Sequence, residues 1–146
     1  MPISIGNFKG GSAKTTSAIH IAAYMQTLGP TILGDGDIVR ASVKWSARGT
    51  GMPFKVVPIA QLAKEMRAAM YDHVVIDAEA NPSDEDFKDI AKGCDLLVIP
   101  TEADSTARDR LIYTLTQAQG YRPPQSPRAH HQGASAAAGR SADAPR

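Results

Sequence analysis

The chain contains short apolar runs that are separated by longer segments of helical period. This alternation limits the fold that the chain can adopt. Five runs are strand candidates, at residues 2–5, 31–33, 54–57, 73–76 and 95–99. Several are rich in Val and Ile and do not alternate apolar with polar residues, which is typical of strands buried on both faces of a parallel sheet. The runs therefore favour an α/β sheet over an all-β or all-α fold.

Amphipathic segments fill the spaces between these runs. One begins at Lys14, a second covers residues 59–69, a third begins at Ser83, whose hydroxyl can cap the helix, and a fourth begins near Asp104 or Ser105. The expected inward stripes are Ala18, Ile21 or Ala22, Met25 and Leu28 in the first, Ile59, Leu62, Met66 and Ala69 in the second, and Ala107, Leu111, Leu115 and Ala118 in the fourth. Alternating strands and helices predict a doubly wound, mainly parallel sheet with helices on both faces and right-handed crossovers.

Composition divides the chain of 146 residues into two parts. Residues 1–119 fit one domain in size and hold 12 Lys and Arg against 14 Asp and Glu. Residues 120–146 hold 4 against 1, and residues 121–146 contain no Leu, Ile, Val, Phe or Met. We expect this tail to be disordered, because it has too little apolar area to offset the entropy lost on ordering. Neither charge balance indicates a dedicated polyanion binder.

The sequence gives no sign of an oxidising or membrane environment. Cys94 is the only cysteine, so one chain can form neither a disulfide nor a cysteine-ligated metal cluster. No charged-then-apolar leader opens the chain, and no apolar run approaches the ~18 residues of a membrane span. We therefore expect a soluble, cytoplasmic protein without a membrane partner.

The stretch NFKGGSAKTT, residues 7–16, follows the first strand candidate and leads into the first helix. In open α/β sheets this turn is a favoured phosphate site. Glycines 10 and 11 let the backbone curl around an anion, Lys14 can reach the β and γ phosphates, and the Thr15 hydroxyl can ligate Mg²⁺. The general pattern has glycine where this chain has Phe8 and Ala13. The alternative is a glycine-rich turn with two surface lysines, but the strand–loop–helix context favours phosphate binding.

Acidic residues follow two other strand candidates. Asp35 and Asp37 come after the second strand, and Asp77 ends the apolar run at 73–76. Parallel strands bring these carboxylates to the edge that carries the loop. Asp77 can hold Mg²⁺ through a water, Asp35 is a further Mg²⁺ candidate, and one of the pair after the second strand can activate the attacking water. Capping of strands and helices explains any one of them, but explains three poorly.

These residues resemble the ParA/MinD family of deviant Walker A ATPases, and within it the ParA-like partition and positioning proteins. The resemblance rests on KGGSAKTT at residues 9–16, DGD at 35–37, YDHVVID at 71–77 and GCDLLVIPT at 93–101, and it covers about residues 1–118. It implies a P-loop NTPase fold in which Ala13 need not be glycine.

The resemblance also implies roles. Lys9 matches a signature lysine that reaches the phosphates of a partner subunit, which would couple ATP binding to dimerisation. Thr15 and Asp77 would serve Mg²⁺, Asp37 would support slow hydrolysis, and residues 78–84 would sense the γ phosphate. ParA-like dimers bind DNA without sequence preference and are released by a ParB-like or adaptor protein, which implies a nucleoid-associated role in plasmid or chromosome partition or cargo positioning. The implied catalytic residues are Lys9, Lys14 and Asp37, and the implied nucleotide contacts are Lys9, Gly10, Gly11, Ser12, Ala13, Lys14, Thr15 and Thr16.

Departures from the family pattern keep a second function open. Family members run well past two hundred residues, whereas here the tail from residue 120 replaces the later strand and basic helices. We therefore expect a C-terminal truncation or frameshift, with an incomplete sheet, and a nucleotide-binding module without effective turnover is the alternative. A MinD-like membrane ATPase fits less well, because the tail lacks the large apolar residues of a membrane-binding helix.

Overall fold

The structure, a computed structural model, describes residues 1–48, 50–103 and 105–119. The tail for which we expect disorder, residues 120–146, lies outside the described residues. Five strands and five helices alternate along the described part: β1 (Pro2–Ile5), α1 (Lys14–Gln26), β2 (Thr31–Asp35), α2 (Ala41–Ser46), β3 (Lys55–Pro58), α3 (Ile59–Ala68), β4 (His73–Asp77), α4 (Asp84–Lys92), β5 (Leu96–Val98) and α5 (Ser105–Gln117).

All strand pairs are parallel, and the sheet order is β3-β2-β4-β1-β5. The predicted α/β fold with a parallel sheet is therefore confirmed. In the register of the sheet Asp35 at the end of β2 lies beside Asp77 at the end of β4, and Asp77 lies beside Ile5 at the end of β1. This register brings both carboxylates to the edge from which the loop after β1 departs.

Two clusters of apolar side chains lie against the sheet. The α1 cluster contains Ala18, Ala22 and Met25 of the helix with Leu33 and Val75 of the strands. The second cluster joins Leu62 of α3 to Ile32, Val57 and Val74. Because successive strand side chains point to opposite faces, Asp35 and Asp77 share the face of Leu33 and Val75, which is the face of α1. Helices therefore cover both faces of the sheet, as predicted.

The boundaries and inward stripes differ in places from the predicted ones. Strand β5 covers three residues rather than five, and its Leu96 is 44% exposed, because β5 is an edge strand with one neighbour. In α5 Ala107 is buried as predicted, but Thr114 is buried rather than Leu115, since the Thr114 hydroxyl contacts the Asn7 side chain. Leu28 is also exposed, because it follows the end of α1.

The predicted cap of α4 is confirmed, since the side chain of Ser83 accepts a hydrogen bond from Asp86 N at 3.1 Å. Cys94 is buried next to a core strand. Gly34, in the interior of β2, has a structural reason: a Cβ there would lie 3.0 Å from Leu62 Cδ2 and 3.1 Å from Ile59 Cδ1. Glycine therefore lets α3 pack closely on β2.

Candidate nucleotide site

The loop between β1 and α1 is anchored at its start by aromatic packing. The Phe8 ring lies 4.8 Å from the Phe87 ring of α4 and 5.0 Å from the Tyr113 ring of α5, measured between centroids. Next to it Asn7, which is buried, donates from Nδ2 to the Pro100 carbonyl at 2.6 Å. Phe8 occupies a position where the general phosphate-loop pattern has glycine. Here that position fastens the loop to the neighbouring helices.

The backbone of the loop then turns through two residues with positive φ. Gly11 has a φ of 75° and Ala13 a φ of 59°, the latter in the left-handed helical region. Glycine reaches this region freely, whereas an alanine there carries a steric cost of about 1 kcal/mol. The glycine of the general pattern at position 13 is thus replaced by a residue that keeps the same conformation. The curled backbone predicted from the glycines is present.

Lys14, the first residue of α1, is buried inside this loop. Its side chain is close to fully enclosed, with 7% of the residue exposed, and Nζ donates to the Lys9 carbonyl at 2.8 Å. Burial lowers the pKa of Lys14, while the negative charges of Asp77 and Asp37 raise it. An ammonium group held this way, between loop carbonyl and carboxylates, is placed for an anionic ligand of the loop.

Asp77 is fully buried at the end of β4 and faces the loop. Burial raises the pKa of Asp77 to about 6, and the charge of Asp35 also raises it, while the nearby hydroxyls of Thr15 and Ser42 and the charge of Lys14 lower it. The Ser42 hydroxyl donates to Asp77 Oδ2 at 3.1 Å. Oδ1, by contrast, has no hydrogen-bond partner within the described residues. The carboxylate therefore keeps one buried oxygen available for a further donor.

Asp35, at the end of β2, and Asp37, two residues later, make different hydrogen bonds. Both carboxylate oxygens of Asp35 accept backbone amides, from Asp37 at 3.0 Å and from Val43 of α2 at 2.9 Å. Asp35 thereby holds the following loop and helix in place without a metal. Asp37 is half-buried, and its Oδ1 accepts from Val39 N at 3.1 Å. Asp37 lines the pocket described next, and Asp35 does not.

An open pocket of about 300 Å³ lies over the loop. Its lining residues are Gly11, Ser12, Ala13, Lys14, Thr15, Thr16, Asp37 and Ala80. The first amides of a helix lack intrahelical partners, and the residue before α1 supplies no side-chain cap. The pocket thus combines helix-terminal amides, an ammonium, hydroxyls and a carboxylate. It brings together six of the eight loop residues singled out in the sequence, but not Lys9 or Gly10.

Lys9 lies outside this pocket. Its Nζ forms an ion pair with Glu102 Oε2 at 2.6 Å, and its side chain is 22% exposed against 50% for Glu102. Glu102 follows β5 in the chain, 93 residues after Lys9. Because of this separation, no local sequence pattern predicts the pair. Two further residues of the site, Ser42 and Asn7, carried no local motif, because their roles depend on neighbours distant in the chain.

The residues around Asp77 fit a magnesium ion bound together with a nucleotide. A buried carboxylate oxygen without a hydrogen-bond partner and a nearby threonine hydroxyl are ligand or water-binding groups of the kind that Mg²⁺ uses. Mg²⁺ keeps several waters and needs one or two protein groups when phosphates supply other ligands. Accordingly, the described part of the chain holds no group of three His, Cys, Asp or Glu side chains that could bind a metal by itself.

Several solved structures are similar to this chain over 82% of its length. Apo McdA from Cyanothece matches with a TM-score of 0.65 at 16% identity, and an ATP complex of a substituted McdA from Cyanothece matches with the same TM-score and identity. ParA of pNOB8 bound to nonspecific DNA matches with a TM-score of 0.64 at 18% identity. The chain has the fold of the ParA-like ATPases. At such low identity the ParA-like fold, rather than a shared activity, is what these matches establish.

This chain spans only part of the length of the solved structures that it resembles. The matched part spans 65% and 63% of the two McdA chains and 59% of the pNOB8 ParA chain. No protein-family model matches the sequence, and no curated protein matches it at a significant level. Among the described residues, none of the helices has both the length and the apolar content needed to cross a membrane.

Proposed function

We propose that this protein is a ParA-like ATPase that binds and slowly hydrolyses Mg-ATP. The observation that carries the proposal is the pocket over the β1–α1 loop, which Lys14 and Asp37 line together with helix-terminal amides, with buried Asp77 close to Lys14. A generic surface turn would not place an ammonium and a carboxylate together in a buried position, since each is costly to desolvate. The ParA-like fold adds support, because one of the solved structures that this chain resembles is an ATP complex.

Different residues of the site would bind the phosphates and the Mg²⁺ ion. The amides of residues 11–16 would cradle the phosphates, and the Lys14 ammonium would balance charge on the β and γ phosphates. Thr15 and Asp77 would hold Mg²⁺, the latter through a water at Oδ1, while Asp35 orders α2. When bound, Mg²⁺ neutralises charge on the phosphate oxygens. Similarity to an ATP complex supports ATP as the nucleotide.

Asp37 is the residue that we propose for hydrolysis. It lines the pocket and its carboxylate contacts the backbone of its own loop rather than a buried partner. A carboxylate within reach of the γ phosphate can orient or deprotonate the attacking water. Turnover would be slow if the Asp37 carboxylate could act only in a closed, dimeric site. Lys9, Lys14 and Asp37 are thus the proposed catalytic residues.

Dimerisation and DNA binding complete the proposed cycle. Lys9 would exchange Glu102 for the phosphates of a partner subunit, so that ATP drives the formation of a homodimer. Similarity to a ParA bound to nonspecific DNA supports nonspecific DNA as a ligand of that dimer. A ParB-like or adaptor protein would stimulate hydrolysis. We place this cycle in the bacterial cytoplasm, on the nucleoid, in plasmid or chromosome partition or in cargo positioning.

A nucleotide-binding module without effective turnover is the second candidate. It is favoured by one observation, that the match leaves more than a third of each McdA chain and of the pNOB8 ParA chain without a counterpart. Nucleotide binding needs only the phosphate loop, whereas turnover needs further groups, so binding and turnover are separable. In this case ATP binds but no stimulated hydrolysis follows.

Two measurements on the same protein preparation separate these candidates. Isothermal titration calorimetry with ATP and Mg²⁺ measures binding, and a phosphate-release assay measures turnover with and without nonspecific DNA. Saturable binding together with steady phosphate release supports the ATPase. Binding without release supports the module, and the absence of ATP binding contradicts both proposals.

A further inference from the structure

The hydroxyl of Ser42, in helix α2, forms a hydrogen bond outside its own helix. A serine inside a helix commonly bonds the carbonyl of the preceding turn of its own helix. Ser46, at the end of the same helix, behaves in this way and donates to the Val43 carbonyl at 2.7 Å. The hydroxyl of Ser42 instead crosses to another element and donates to Asp77 Oδ2 at 3.1 Å, with both residues fully buried.

The position of Ser42 is fixed from the sheet below it. Asp35 Oδ2 accepts the amide of Val43, the next residue of α2, at 2.9 Å. Asp35 is also the register partner of Asp77 across the β2–β4 pair. The helix that carries Ser42 is therefore tied to the strand next to Asp77, and a buried carboxylate sets the distance between them.

The hydrogen bond from Ser42 places the two carboxylate oxygens of Asp77 in different environments. Oδ2 is occupied by Ser42, whereas Oδ1 is buried and has no hydrogen-bond partner in the described part of the chain. A carboxylate held at one oxygen loses rotational freedom about its side chain, so its other oxygen is presented in one direction. A buried oxygen without a partner is uncommon in a folded protein and is a place where a ligand or ordered water is expected.

We propose that Ser42 is a positioning residue, which orients the Asp77 carboxylate so that Oδ1 receives a water of the magnesium ion bound with the nucleotide. This inference rests on the proposed function, since it concerns the same site. Partners that orient metal-binding groups typically change metal affinity by about 10- to 100-fold when they are removed. The same helix begins four residues after Asp37, so α2 also links the metal position to the hydrolytic loop.

The test compares ATP affinity with and without Mg²⁺ in three variants. Ser42→Ala removes the hydroxyl, Ser42→Cys replaces it with a weak donor of similar size, and Ser46→Ala removes a hydroxyl from the same helix away from Asp77. Equilibrium titration with a fluorescent ATP analogue gives the ratio of the two affinities. We expect Ser42→Ala and Ser42→Cys to lower the Mg²⁺-dependent gain about 10-fold, with metal-free affinity unchanged. Ser46→Ala should keep the gain of the wild type.

Other outcomes overturn the inference in distinguishable ways. If both Ser42 variants keep the wild-type gain, Ser42 does not position the metal-binding group. If both Ser42 variants lose as much ATP affinity without Mg²⁺ as with it, the role of Ser42 is structural. The same holds if they unfold at a markedly lower temperature than Ser46→Ala. A wild-type protein whose ATP affinity does not respond to Mg²⁺ overturns the proposed function itself, and this result is seen before any substitution is made.

Discussion

The two lysines of the β1–α1 loop lie only five residues apart but in opposite environments. Lys14 is buried, donates to a carbonyl of its own loop and lies near two carboxylates. Lys9 is partly exposed and pairs with Glu102, a residue on the surface. Exposed ion pairs contribute about 0–1 kcal/mol, whereas breaking a buried charge contact costs several times more. We therefore expect Lys14 to serve its own subunit, and Lys9 to exchange Glu102 for another anion at a lower cost.

This difference suggests a division of roles within one short loop. The inner part, with Lys14, forms a pocket within a single chain. The outer part, with Lys9, presents a cation that can move to an anion of another molecule. The first prediction below tests the inner part, the second and third compare the two parts, and the fourth tests the outer part.

The largest effect is expected for Asp37→Ala. Removal of a carboxylate that activates water typically lowers turnover by about 100- to 10,000-fold. ATP binding should persist, because Lys14 and the loop amides remain. Phosphate release and calorimetric binding, measured on the same variant, check this. Equal phosphate release by the variant and the wild type contradicts the assignment, whereas a parallel loss of binding means that Lys14 depends on Asp37 for its position.

Substitution of the two lysines separates the inner and outer parts directly. Lys14→Ala should reduce ATP affinity by about 100-fold or more, because it removes a buried, charge-assisted contact to phosphate. Lys9→Ala, the matched control, should change the ATP affinity of a dilute, monomeric protein only a few-fold. Calorimetry at protein concentrations below dimerisation provides the comparison. If the two variants lose affinity equally, the division within the loop is wrong.

The pH dependence of stability should also differ between the two parts. Because burial raises the pKa of Asp77 from 3.8 to about 6, the folded metal-free protein retains a proton that the unfolded chain releases in this window. The free energy of unfolding therefore falls as the pH rises through the window, by on the order of 3 kcal/mol from this group. Asp77→Asn should remove this dependence.

Urea unfolding in EDTA at several pH values between about 4 and 7 measures this effect. The stability of Asp77→Asn relative to the wild type should increase as the pH rises. Glu102→Gln is the control from the outer part, and it should shift the unfolding free energy by about 1 kcal/mol or less, because the pair with Lys9 is exposed. A constant difference between Asp77→Asn and the wild type would show that the Asp77 carboxylate does not titrate abnormally.

The smallest effect is expected from Glu102→Gln on dimerisation. The substitution weakens the ion pair that holds Lys9 in the single chain, so Lys9 becomes easier to move. Since such pairs contribute about 1 kcal/mol at most, ATP-dependent dimerisation should strengthen only a few-fold. Sedimentation equilibrium with ATP and Mg²⁺ gives the dissociation constant. Weaker dimerisation would mean that Glu102 supports the dimer rather than competing with it.

The sequence predicted the fold well because local patterns determine it. Each predicted apolar run became a strand within two residues of its expected bounds, and Ser83 caps α4 as its chemistry suggested. The helical stripes were less accurate, as Leu28 and Thr114 show. In α5 a threonine is buried because it meets Asn7, 107 residues away. Contacts of this kind override the local apolar period.

The site was predictable in part for the same reason. The loop and the carboxylates of Asp35, Asp37 and Asp77 could be grouped, because parallel strands end at one edge of a sheet. Their separate tasks could not be assigned, since only the structure shows that Asp35 holds backbone amides. Ser42 carried no sequence signal, because its contact depends on how α2 crosses the end of β4.

Light scattering on a sizing column, with ATP and Mg²⁺, distinguishes the proposed roles of Lys14 and Lys9. The claim is that Lys14 serves binding within one chain and Lys9 serves pairing between chains. We expect the wild type to elute as a dimer, Lys9→Ala as a monomer that still carries ATP, and Lys14→Ala as a monomer without ATP. A wild-type protein that carries ATP and Mg²⁺ but stays monomeric would contradict the claim.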